Sequence, residues 1–299
     1  MNFRQFNSIV EIRTKIISMG TYLSASVYVA ISTTSFSLSK FIIMLFAVLF
    51  VDMGTTGFNT YFDFINGTDN KKFNKEQAKV LVHEHVNPTM ALIVSSILFL
   101  AAAILGLILA YKTSFYLIII GAICMGVGYV YTGGPFPISR TPFGEIFAGG
   151  FLGTILFLIT YYVHTLTLNL SSLLVSLPFM IIIGMILSVN NRCDKFSDTE
   201  AGRRTLAIVL SEKSVAIFMY GQLISTFVLT ILYSFTSYLP INVAPFSLVA
   251  FILSLIIYKN MNKRGFSLET KDPSMGDISK IFLLYCLTFS LGLLSTIVF

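Results

Sequence analysis

Asn190, Asp194 and Asp198 recur at intervals of four, and Asn191 stands three residues before Asp194. A helix running through this stretch, out of the apolar run 171–189, puts the three on one face, with Asn191 beside the stripe. Two carboxylates and two amides at the mouth of an apolar segment make a hard-oxygen site. Mg²⁺ takes such ligands together with water and phosphate oxygens. Arg203 and Arg204 follow at once, and basic groups of that kind neutralise phosphate. Far upstream, Asn59-Thr60-Tyr61-Phe62-Asp63, with Asp69 and Lys71-Lys72 after it, repeats the ingredients. The chemistry indicated is a metal-bridged diphosphate at a membrane surface.

The segment that carries the upstream site has its own stripe. Asp52, Thr56, Asn59 and Asp63 share one continuous helical face. Asp52 lies about 16 Å deeper than Asp63, at 1.5 Å per residue. An acid at that depth is costly and should face a cavity or a partner. Asp52 is therefore read either as part of a substrate cavity or as one end of a structural contact.

These elements must be membrane spans. Charged residues are 11% and apolar residues 55%, with a mean hydropathy of +0.82. A soluble domain has roughly 25% charged residues. Nine segments reach the length needed to cross ~30 Å of hydrocarbon: about 16–34, 41–63, 88–111, 115–131, 143–163, 171–191, 214–237, 240–258 and 279–298. The first is rich in Ser and Thr, so it belongs inside the bundle rather than against lipid. It lacks a small-residue cleavage pattern and reads as its own anchor. The expected fold is an all-α bundle of nine transmembrane helices, residues 1–299 as a single domain, around a central cavity that opens to the cytoplasmic side. Cys124, Cys193 and Cys286 give no disulfide framework.

Charge placement sets the orientation. All twenty Lys and Arg residues except Lys40 and Lys112 fall on the side of the N-terminus. By the positive-inside rule that side is cytoplasmic. Every Asp and Glu outside the second span falls on the same side, where Mg²⁺ and soluble diphosphate esters are found. The net charge of +6 therefore belongs to membrane topology and does not indicate nucleic acid. No obligate protein partner is evident. The loop 67–87 is a short cap or a solvated connector, with Lys75, Glu76 and Lys79 at helical spacing. His83-Glu84-His85 has the look of a chelate but lacks a further ligand, and Asn87-Pro88 reads as a helix cap and first turn. Gly133-Gly134-Pro135-Phe136-Pro137 cannot continue a helix. It makes a tight link that carries Tyr131, Arg140 and Glu145 towards the Asp stretches. The basic loop 258–280 suits anionic lipid headgroups.

At the level of motifs, Asn190-Asn191-x-x-Asp194-x-x-x-Asp198-x-x-x-Gly202-Arg203-Arg204-Thr205-Leu206 resembles the second Asp-rich motif of the UbiA-type intramembrane prenyltransferases. It is most similar to the 1,4-dihydroxy-2-naphthoate polyprenyltransferases of menaquinone synthesis. Asn59-x-x-x-Asp63 with Asp69 resembles the first motif. Tyr131-x-x-Gly134-Pro135-x-Pro137 through Thr141-Pro142-x-Gly144-Glu145 resembles the link between spans four and five, and the likeness covers nearly the whole chain.

The resemblance implies Mg²⁺-dependent transfer of a polyprenyl group from its diphosphate to an aromatic acceptor. It makes Asp63, Asp194, Asp198 and Tyr131 catalytic candidates, and Asn59, Asp63, Asp69, Asn190, Asp194 and Asp198 metal ligands. Lys71, Lys72, Asn191, Arg203, Arg204 and Asp52 would bind substrate, and Arg140 would hold an acceptor carboxylate that leaves as CO₂. Three departures stand out. Thr60 replaces the usual first acid, so a raised Mg²⁺ requirement, relieved by Thr60→Asp, is expected. Arg192-Cys193 changes the order before Asp194, and Arg140 stands where many relatives carry an aromatic ring. Three other readings compete: an ion-coupled transporter, a non-catalytic prenyl-lipid or quinone-binding protein, and a prenyltransferase with a different ring as acceptor.

Overall fold

The computed structural model describes residues 2–69, 79–84 and 86–297, and within them the chain is helical. In chain order the helices are α1 (Phe3–Val10), α2 (Ile16–Ser32), α3 (Leu38–Ile65), α4 (Val80–His83), α5 (Pro88–Lys112), α6 (Tyr116–Val130) and α7 (Gly144–Gly149). They continue with α8 (Leu156–Thr165), α9 (Leu170–Cys193), α10 (Lys195–Glu200), α11 (Leu206–Val209), α12 (Glu212–Ser234), α13 (Val243–Arg264) and α14 (Lys271–Leu294).

Among the described residues seven helical segments are long and apolar enough to cross a membrane. They are α3, α5, α9, α12, α13 and the runs Gly144–Thr165 and Leu268–Ile297. The protein is thus a multi-pass membrane protein. Two segments counted as spans from sequence are shorter. α2 has 17 residues and α6 has 15, and fifteen residues of helix reach only about 22 Å. The Ser- and Thr-rich α2 does bury its polar face, as its composition required: Ser18, Thr21, Ser24 and Ser26 are all buried. In a membrane such hydroxyls are satisfied within the helix, and Ser26 donates to the Tyr22 carbonyl at 2.8 Å.

The chain falls into two compact units. One comprises Met1–Lys15, Leu38–Thr141 and Ser197–Arg203. Its centre is α3 packed along α5, with α1 laid against α3 and α6 alongside. Asn87 caps α5 by accepting from the Thr89 amide at 2.9 Å, with Pro88 at the first helical position. Beyond α6 the Gly-Pro link is irregular and closes with a single 3₁₀ turn, Ile138–Arg140.

The other unit comprises Ile16–Ser37, Pro142–Phe196 and Arg204–Phe299. Its core is built around α9, with Phe157, Phe179, Phe227, Tyr285 and Phe289 interlocked at ring-centroid distances of 5.0–6.2 Å. Gly150–Ile155 forms a π-turn between α7 and α8. A Cβ at Gly153 would fall 2.5 Å from the Met180 backbone nitrogen, so α9 approaches here backbone to backbone and admits only glycine. Small residues commonly permit such approach between membrane helices.

Candidate active site

The second Asp stretch does not run on as one helix. α9 ends at Cys193, Asp194 sits at φ −89°, ψ 2°, and α10 starts at Lys195. The break is one residue wide, and the Asp194 amide still donates to the Asn190 carbonyl at 3.0 Å. Asp194 belongs to the unit built on α9, whereas Asp198 belongs to the unit built on α3.

The unit built on α3 holds Asp63 of the first motif together with Asp198 and Arg203 of the second. α10 ends in a left-handed cap: Gly202 has φ +70°, and the amides of Gly202 and Arg203 donate to the carbonyls of Thr199 (3.0 Å) and Asp198 (2.9 Å). This paired-bond cap requires glycine at the positive φ. It turns Arg203 back over its own helix, where Arg203 Nη1 donates to Asp198 Oδ1 at 2.9 Å. The Asp198 side chain is only 4% exposed. Burial works against the charge of Arg203, but Asp198, Asp63 and Tyr131 outweigh it and hold its pKa above the ordinary guanidinium value. One guanidinium therefore pairs with Asp198 of the second motif and feels the charge of Asp63 in the first. Arg203 Nε is buried and makes no hydrogen bond among the described residues, which leaves a donor for an anionic ligand.

The rest of the first motif is distributed. Asp69 pairs with Lys79 at 3.3 Å, and Lys79 also holds Glu11 at 3.0 Å. Asn59 accepts from the Thr132 hydroxyl. Asp52 has the partner its depth demanded: Lys15, 4% exposed, reaches Asp52 Oδ1 at 2.6 Å and also donates to Thr56. Lys71 and Lys72, and with them the chelate candidate His85, lie outside the described residues.

Thr60 is where expectation and geometry part. Its side chain is buried and its hydroxyl donates to the Ile9 carbonyl at 3.0 Å, fastening α1 to α3. Thr60→Asp would point a carboxylate at a carbonyl oxygen. We expect it to cost roughly 3 kcal/mol as an unpaired buried charge, and to leave the Mg²⁺ concentration for half-maximal rate unchanged. A lowered Mg²⁺ requirement in that variant would place position 60 at the ion after all.

In the unit built on α9, Asp194 Oδ2 accepts from Lys271 Nζ at 2.8 Å. The lysine comes from the loop read as a headgroup contact. Asn191 Nδ2 donates to Glu145 Oε1 at 3.0 Å, both side chains being buried. A carboxylate facing the amide nitrogen fixes which way Asn191 presents its oxygen. Asn190 is half-buried and Arg204 exposed. Lys15, Lys79 and Lys271 are the partners of these acids that motif reading passed over. The signal was general: a membrane-embedded acid needs a counter-charge, and each partner is the basic or amide group available to it.

Among the described residues no three acids, cysteines or histidines converge as a ready metal cage. The donors still suit Mg²⁺. Asp63 and Asp198 carry hard oxygens in the field of one arginine, and two carboxylates with phosphate and water oxygens are what that ion takes.

A family model described as the UbiA prenyltransferase family matches residues 18–275. The 1,4-dihydroxy-2-naphthoate octaprenyltransferase of Bacillus subtilis (strain 168) is 36% identical over 58% of this chain and 55% of its own. The corresponding enzyme of Mycobacterium tuberculosis (strain ATCC 25618 / H37Rv) is 30% identical over 60% of each. The match thus spans little more than half the length of these relatives. In three dimensions the chain is similar to a UbiA homolog from Archaeoglobus fulgidus bound to DMAPP and Mg²⁺. That likeness has a TM-score of 0.69 at 12% identity and covers 96% of this chain and 99% of that one.

Proposed function

The chain belongs to the UbiA prenyltransferase family, and from that premise we propose that it transfers a polyprenyl group from polyprenyl diphosphate to an aromatic acceptor. The acceptor is 1,4-dihydroxy-2-naphthoate and the product a demethylmenaquinone-type lipid. The naphthoate octaprenyltransferases among its relatives support the acceptor. The observation that carries the reading is Arg203, paired with Asp198 in the unit that also holds Asp63, with its Nε making no hydrogen bond among the described residues. The whole of 1–299 acts as one domain with nine crossings, in the cell membrane, its substrate cavity open to the cytoplasm.

Asn59, Asp63, Asp69, Asn190, Asp194 and Asp198 carry the oxygens that would hold Mg²⁺, which would supply Lewis-acid neutralisation of the diphosphate. The chain's own groups do the rest. Arg203, with Arg204, Lys71 and Lys72, donates charge-assisted hydrogen bonds to the diphosphate as its C–O bond breaks. Stabilising charge that develops on a leaving group is commonly the largest catalytic term. Asn191, oriented by Glu145, and the Tyr131 ring border the reacting groups. Apolar walls exclude water from the allylic cation until the acceptor ring carbon attacks it. The acceptor carboxylate then departs as CO₂.

Incubating membranes with Mg²⁺, labelled polyprenyl diphosphates and a panel of aromatic acid acceptors should yield one prenylated ring lipid. Naphthoate should be preferred. Preference for another ring would change the acceptor, and absence of any product would favour a prenyl-lipid or quinone-binding role.

The orientation has its own check. In a variant with Cys124, Cys193 and Cys286 replaced, Glu200→Cys should react with an impermeant thiol reagent in inverted vesicles only. Labelling from outside intact cells would reverse the topology.

A further inference from the structure

Two arginines cross-link the Gly-Pro link and the turn after α10 in opposite senses. Arg140, in the link, donates through Nη2 to the carbonyl of Ala201 in the turn. Arg203, in the turn, donates through Nη2 to the carbonyl of Ser139 in the link, at 2.9 Å. The Ser139 amide in turn donates to the Tyr131 carbonyl at 2.8 Å, which ties the link back to the end of α6. Ala201 is the residue just before the positive-φ Gly202. Carbonyls at a helix C-terminus lack partners within the helix and are favourable places for a cation. Arg140 thus caps the turn whose shape places Arg203 against Asp198.

We propose that Arg140 is a positioning residue: it clasps the Ala201 carbonyl and thereby holds the Asp198–Arg203 pair in the arrangement that receives the diphosphate. The proposal rests on the function given above. It differs from the role the sequence suggested for Arg140, that of gripping an acceptor carboxylate. A single bond from Arg203 to Ser139 would let the turn pivot. Two bonds running in opposite directions, one residue apart on the link, fix its orientation. Without the Arg140 strap, the guanidinium of Arg203 would have to be ordered by the ligand itself, and affinity for the diphosphate would fall accordingly. The acceptor would be unaffected.

The test compares wild type, Arg140→Met and Arg140→Lys, the lysine retaining one donor for the carbonyl. Amide hydrogen exchange, measured without ligand on the peptide spanning Asp198 to Arg204, should be about tenfold faster in Arg140→Met and intermediate in Arg140→Lys, the scale of one charge-assisted hydrogen bond. In transfer assays, the KM for polyprenyl diphosphate should rise about tenfold in Arg140→Met by the same measure. It should recover in part with lysine, and the acceptor KM should stay within about twofold. Unchanged exchange in Arg140→Met would overturn the clasp. So would a raised acceptor KM at unchanged diphosphate KM, which would return Arg140 to the acceptor. If wild type transfers nothing, the proposed reaction fails. The clasp would then be decided by exchange together with binding of inorganic pyrophosphate, which Arg140→Met should weaken and which, if unweakened, would also overturn it.

Discussion

Asp198→Asn should lower transfer by about 10²–10³-fold, the range found when one preorganised electrostatic group is removed from a reacting site. The substitution preserves shape and leaves an oxygen to accept from Arg203 Nη1, so the protein should still reach the membrane folded. What it removes is the charge that, with Asp63, offsets Arg203 and that, on the proposed function, would bind the metal. Asp194→Asn should be similarly damaging for a different local reason, since its carboxylate is held by Lys271 in the other unit. Rates within a fewfold of wild type, measured per folded protein, would remove either acid from the chemistry.

The second large effect is on stability. Lys15→Met should destabilise the protein by about 3–5 kcal/mol, the cost of leaving one member of a buried ion pair uncompensated. Lys15 is 4% and Asp52 13% exposed, so little solvent is available to take over from the lost ammonium. Asp52→Leu added to Lys15→Met should restore most of the loss, because replacing both partners by apolar groups is often neutral or better. The measurement is thermal unfolding in detergent of the two variants and the double variant. A double variant no more stable than Lys15→Met alone would show that the pair is not the source of the effect. If the rescued protein also transfers at a normal rate per folded molecule, Asp52 is a brace for α3 and takes no part in binding substrate.

Much of this was legible in the residues. Hydropathy fixed the helices to within a few residues at most ends, and Asn87-Pro88 marked a helix start. Gly133 to Pro137 marked a place where no helix could pass. Gly202 was legible as part of a motif, though its reason is conformational: only glycine is at ease at the φ that closes the turn.

The pairings were harder to read. Periodicity assumes an unbroken helix, and here the helix breaks at Asp194, at φ −89°. Spacing along one strand of sequence also says nothing about which distant side chain supplies a counter-charge. Lys271 to Asp194, Lys15 to Asp52 and Lys79 to Asp69 join residues well separated along the chain. The partner of Thr60 was hidden for a related reason. Its place in the motif suggested a missing ligand, while its hydroxyl is engaged in holding α1.

The proposed reaction breaks an allylic diphosphate and joins its prenyl group to an aromatic ring. It is tested most directly by counting both products in one reaction. Purified protein in lipid vesicles, given Mg²⁺, polyprenyl diphosphate and 1,4-dihydroxy-2-naphthoate, should release diphosphate and form prenylated ring lipid in equal amounts. Both should cease on chelation of the metal and in Asp198→Asn. Diphosphate binding without release, or release with no prenylated ring, would contradict the account.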